Sequence, residues 1–74
     1  MDAEVLRLKE EEAWARELRR RRADWDFINR QAPRIRHALR VYVETGDLYK
    51  AAKIAGLSLS RMDEVRRKAR IPSA

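Results

Sequence analysis

The stretch AAKIAGLSLSRMDEVRRKARIP, residues 51–72, carries the fold. Leu48, just ahead of it, recurs with Ala51, Ala52 and Ala55 along one face of a short helix, and small side chains there let a second helix approach closely. Gly56 permits a tight turn. Ser60, with Asp63 three residues on, predicts the start of the next helix by a short form of the capping box. Met62, Val65 and Ala69 are its expected buried face, and Ile71 and Pro72 are expected to end it. Ala52 is small where two helices would cross, and Leu57, Met62 and Val65 would plug the angle between them. With the Gly56 turn, these are the positions that a helix-turn-helix has to fill. The plainer alternative is a helical hairpin with no role in groove binding.

Working outward, Trp25, Ile28, Ala32, Ile35, Leu39 and Tyr42 follow alternating steps of three and four, which predicts one helical face running past Pro33. Pro33 suits the first position of a new helix, so a break is expected near Gln31 and Ala32. Gly46 should close that helix in the left-handed conformation, and Asp47 should cap the following one. Nothing interrupts a helix from Ala3 to Arg22; Val5, Leu8, Ala15 and Leu18 give it a thin stripe, and Trp14 lies one turn before Leu18. Leu8, Trp14, Leu18 and Trp25 are therefore candidate contacts, with the C-terminal unit or with a second chain. The expected class is all-α: residues 1–31 form a charged amphipathic helix acting as a dimer or partner arm, and residues 32–74 form a helix-turn-helix domain.

Composition supports that class and excludes others. The 74 residues hold two glycines, two prolines and no cysteine, so neither disulfides nor thiolate metal sites can stabilise a domain of this marginal size, and self-association is the simplest remaining source. Neither a secretory leader nor a membrane-spanning run is visible, so a cytoplasmic location is expected. His37, the single histidine, projects to the solvent side, and no acidic or histidine cluster has metal-ligand spacing. No nucleophile has a visible base, so an enzyme is not expected, nor a cofactor, a metal or a small-molecule substrate.

The net charge of +6 is unevenly placed. Residues 1–31 hold 8 basic and 8 acidic groups and residues 32–74 hold 10 and 4, so a nucleic-acid footprint belongs in the second half. Arg19, Arg20, Arg21 and Arg22 either belong to a solvated helix laced by pairs such as Glu12 with Arg16 and Glu17 with Arg21, or grip phosphates or an acidic partner. Trp14, Trp25 and Phe27 have the rings for stacking on single-stranded RNA, but their helical spacing favours packing.

Lys50-Ala51-Ala52, Ala55-Gly56-Leu57-Ser58, the apolar Met62 and Val65, and Ile71-Pro72 resemble the C-terminal helix-turn-helix of small archaeal and bacterial proteins proposed as antitoxins of PIN-domain ribonuclease toxins. The preceding ALRVYVETGDLYKAA resembles the run leading into that unit. The resemblance implies that the unit binds promoter double-stranded DNA while another segment occupies the toxin. It implicates Ser58, Ser60 and Arg67 in DNA contact, with Arg61 and Lys68 flanking them near phosphates. Asp63 and Glu64 depart from it by placing acids on the surface that would face a polyanion. Glu64 could accept a hydrogen bond from cytosine, and Asp63 with Arg67 and Glu64 with Lys68 fall at pairing distance along a helix. The resulting expectation is a homodimeric, salt-sensitive DNA-binding regulator of modest affinity, an antitoxin by resemblance. Two other readings remain: a protein-interaction module that keeps the helix-turn-helix as a scaffold, and a nonspecific nucleic-acid binder.

Overall fold

A computed structural model describes residues 3–74. The chain forms α1 (Ala3–Arg22), α2 (Trp25–Arg30), α3 (Pro33–Thr45), α4 (Leu48–Ala55) and α5 (Leu59–Lys68), with no strand among the described residues. α3 is the hub: α1, α2 and α4 pack on it, and α5 packs on α4. The shared core is built from Ile28, Ala38, Leu39, Tyr42, Val43, Ala51, Ala52, Ala55, Met62, Ala69 and Ile71.

Most boundaries follow from single residues with a backbone reason. Asp24 caps α2 by accepting the Phe27 N–H, and Asp47 caps α4 by accepting the Lys50 N–H. Pro33 begins α3, where its missing N–H costs nothing. Gly46 ends α3 at φ 68° and Gly56 ends α4 at φ 69°, both left-handed.

Three expectations are corrected. First, α5 begins earlier than read: Ser58, in extended conformation after the Gly56 turn, is the cap and its hydroxyl accepts the Arg61 N–H at 3.3 Å. Ser60 lies inside the first turn, and Asp63 turns to arginines instead of completing a capping box. Second, Trp25 and Ala32 leave the buried face. Trp25 is the first residue of α2, 38% exposed, with its indole turned to the Arg20 carbonyl, and Ala32 stands exposed in the extended link between α2 and α3, while Ile28, Leu39 and Tyr42 are buried. Third, α5 ends at Lys68, before Ile71 and Pro72, and Ile71 serves the core instead of the helix end. Arg70 takes a left-handed conformation (φ 57°) that folds Ile71 back into the core, and the Ile71 carbonyl accepts from Arg66 at 2.7 Å.

The long helix is held by only half its length. Arg16, Arg19 and Arg20, spaced to share one face, all reach the C-terminal end of α3: Arg16 Nε donates to the Glu44 carbonyl, Arg19 Nε to the Val43 carbonyl at 2.8 Å, and Arg20 forks onto the Glu44 carboxylate at 3.0 and 2.7 Å. The last carbonyls of a helix lack intrahelical donors and carry its negative pole, so three cations there meet both needs. Residues 3–14 are exposed throughout and extend the molecule to 42 × 22 × 17 Å. Of the four successive arginines, Arg19 and Arg20 are thus spent on internal structure and Arg21 pairs with Glu17 at 3.0 Å. A four-arginine phosphate grip is not what the fold offers.

The Arg20 hydrogen bond holds the Glu44 carboxyl below its ordinary range. A carboxylate depressed in the folded state stabilises it above the unfolded pKa, and that contribution disappears as pH falls through the folded value. The melting temperature is therefore expected to drop as pH falls below the ordinary carboxylate range, with a smaller drop in Glu44→Gln, as thermal melts between pH 7 and 3 would record.

Candidate nucleic-acid interface

α4, the Gly56-Leu57-Ser58 turn and α5 form the helix-turn-helix geometry. Ala52 is 5% exposed and Met62 is fully buried, while Leu57 and Val65 are half-buried against the same core. The turn is braced from α3: Arg34 Nε donates to the Ile54 carbonyl at 2.8 Å, and its guanidinium lies where a side chain at Gly56 would be, 3.3 Å from an ideal Cβ. Sequence reading missed Arg34. The signal available was the set of unpaired carbonyls at the end of α4, which call for a donor from outside the helix.

On α5 and at its cap, Ser58, Ser60, Arg61, Glu64, Arg67 and Lys68 are all exposed. Ser58 differs from the others in that its hydroxyl is already engaged as the cap. Asp63 accepts from Arg66 at 2.9 Å and from Arg67 at 2.8 Å, and the Arg66 hydrogen bond is the main reason its carboxyl is held below the ordinary range. Arg66 is nearly buried, its side chain 11% exposed, so one of the two partners of Asp63 is fixed against the body of the fold. The expected Glu64–Lys68 pair is not formed at salt-bridge distance among the described residues, which leaves Glu64 as the acid facing outward without a partner cation. On α4, Tyr49 is 70% exposed and Lys50 and Lys53 are exposed, an additional polar surface on the first helix of the unit, of which sequence reading had only Lys50, and that as part of a motif.

The candidate arm residues split between two sides of α1. Leu8 lies in line with Ala15 and Arg19 and lines an open groove closed on its far side by Ser73 and Ala74. Half-buried Leu18 and Trp14, 65% exposed, lie about 80° and 120° round the helix from Leu8 and run toward Trp25, whose indole N–H donates to the Arg20 carbonyl at 2.9 Å. His37 is exposed. No described helix is long and apolar enough to cross a membrane, and no described group of three or more His, Cys, Asp or Glu side chains is arranged to hold a metal ion. Comparison with protein-family models, with curated proteins and with solved structures gives no match.

Proposed function

We propose that the chain is a DNA-binding regulator that inserts α5 into the major groove while α4 crosses the phosphate backbone. The observation that supports it most directly is the state of Asp63. The acid that would oppose a polyanion is tied to Arg66 and Arg67, so the outward face of α5 offers Ser60, Arg61, Arg67 and Lys68 with Glu64 as its single unpaired acid. In this reading Arg61 and Lys68 meet phosphates and Arg67 reaches a base edge. Glu64 discriminates, since a carboxylate accepts from the cytosine amine and repels the acceptors of guanine and thymine. Tyr49, Lys50 and Lys53 add backbone contacts from α4. The resemblance of residues 50–72 extends the proposal to an autoregulating antitoxin whose N-terminal arm engages a PIN-domain toxin.

Binding to the DNA upstream of its own gene, followed by fluorescence anisotropy, tests the reading. Affinity is expected to fall by about a hundredfold between 50 and 200 mM salt, as a handful of phosphate contacts requires. Arg67→Ala is expected to weaken binding by about tenfold with the melting temperature nearly unchanged, because Asp63 keeps Arg66 as a partner. Full affinity in that variant would remove Arg67 from the interface.

A second reading, a protein-interaction module with the helix-turn-helix as scaffold, is favoured by one feature, the exposed apolar side chains of α1. It predicts no salt-dependent DNA binding at any sequence and a stable complex with the product of a neighbouring gene.

A further inference from the structure

α1 carries a pattern on its outer side that neither its own packing nor DNA binding uses. Arg7, Glu11, Trp14, Leu18 and Arg21 follow one another at steps of four, three, four and three, the spacing of a helix-pairing seam. Trp25 falls four residues further on, and its hydrogen bond to the Arg20 carbonyl pins the ring to the end of α1, so the seam continues across the helix break. Every member is accessible: Leu18 is half-buried and the others are exposed, with Trp14 at 65%. The side of α1 that packs on α3 through Arg16, Arg19 and Arg20 faces away from this seam, roughly half a turn round the helix.

The seam is complementary to itself in one orientation only. With a second copy laid antiparallel about a two-fold axis beside Arg16, Trp14 meets Leu18 of the other chain, Glu11 meets Arg21, and Arg7 meets the face of Trp25. Each contact occurs twice, as an isologous interface demands. The centre is then apolar, the flanks are opposite charges, and the ends are a guanidinium over an indole, a favourable arrangement. In a parallel pair Glu11 would oppose Glu11 and Arg21 would oppose Arg21, placing like charges together at both flanks. We propose that the chain forms an antiparallel homodimer through this seam, over about 21 Å of α1 from Arg7 to Arg21 with Trp25 beyond its end. The internal Glu17–Arg21 pair does not prevent it, because that pair is exposed, with Arg21 at 76%, and Arg21 can serve both carboxylates. Dimerisation through α1 is independent of DNA binding.

The absence of cysteine makes the register testable in the full chain without DNA. Glu11→Cys and Arg21→Cys are made as separate proteins. In the antiparallel dimer two copies of either variant hold their thiols about 15 Å apart, too far for a disulfide, whereas a mixture of the two variants brings the introduced thiols of unlike chains face to face. Mild oxidation is expected to cross-link the mixture and leave each protein alone monomeric on non-reducing gels. Efficient cross-linking of Glu11→Cys by itself would overturn the antiparallel register, and a monomer mass by sedimentation at several hundred micromolar wild-type chain would overturn the dimer. Charge exchange adds a control against misfolding: Glu11→Arg alone and Arg21→Glu alone are each expected to weaken dimerisation by about tenfold, and the double variant to restore it. Failure of the double variant to recover would also exclude the register.

Discussion

Replacing Arg19 by alanine is expected to cost about 3 kcal/mol of folding stability and to lower the melting temperature by roughly 15 °C. Arg19 is 5% exposed and is the buried charged residue of the described chain. Its Nε donates to the Val43 carbonyl in the last turn of α3, and its Nη1 donates to the Ala74 backbone oxygen. Truncation leaves the Val43 carbonyl without that donor and opens space against Gly46, where an added Cβ would stand 2.9 Å from the guanidinium. A domain of this size is stable by only about 4–11 kcal/mol, so the loss is a large fraction of the whole. Arg19→Lys keeps the charge near the negative end of α3 but not the fork that reaches two oxygens, and should recover part of the loss. Thermal melts of both variants by circular dichroism check it. A midpoint unchanged in Arg19→Ala would mean that Arg16 and Arg20 alone hold α1 to α3.

The elements that were legible in the sequence are those fixed by one residue and its immediate neighbours. Gly46 and Gly56 announce left-handed helix ends, Asp47 announces a cap, and Pro33 a first turn, because each limits the backbone at its own position. Misreadings arise where the deciding partner is distant or where two residues compete. Arg19 has alanines four residues to either side, Ala15 and Ala23, where Arg20, Arg21 and Arg22 have charged or large neighbours, but that signal places it on a face without saying what the face meets. Its burial depends on Val43 and Ala74, which only the packing of α1 on α3 brings near. Ser58 and Ser60 are both good caps, and the choice falls to Ser58 because the Gly56 turn delivers it in the extended conformation first. Trp25 and Ala32 fit the period of the residues after them, but Trp25 only opens α2, with its indole turned to Arg20, and Ala32 follows Gln31 in the extended link before α3. On the candidate site, the exposure of Ser60, Arg61, Glu64, Arg67 and Lys68 was readable from the period of Met62, Val65 and Ala69. The sharing of Asp63 between Arg66 and Arg67 was not, since Arg66 is oriented by the carbonyl of Ile71, which sits there only because Arg70 turns left-handed.

That arrangement matters for how the α5 surface meets a polyanion. An isolated aspartate at this place would repel phosphates. Bonded to Arg66 and Arg67, Asp63 joins a cluster of net charge +1, and it gives the Arg67 side chain, 71% exposed in that pair, one favoured direction. Fewer rotamers are then lost on binding, and a modest number of contacts goes further.

The second large effect is expected at Met62, whose replacement by alanine should cost about 3 kcal/mol, within the range for removing a long apolar side chain from a closed core. Met62 is fully buried and shares its core with Ala51, Ala52 and Ala55, the small face of α4. Because those alanines are short, Met62 is the large, fully buried side chain of α5 in the core that α4 and α5 share. The alanine variant leaves a cavity that α5 can fill only by tilting. A tilted α5 changes the aim of Arg61, Arg67 and Lys68, so DNA affinity should fall at 10 °C even where urea titration shows the variant to be folded. Met62→Leu, close in volume, should lose less than about 1.5 kcal/mol and keep its affinity. Arg67→Ala is expected to lose affinity without stability, so the two substitutions separate the contact surface from the scaffold that aims it. Unchanged urea midpoints in Met62→Ala would show that the angle is set elsewhere, with Leu57 and the Arg34 brace across Gly56 the remaining means of holding it.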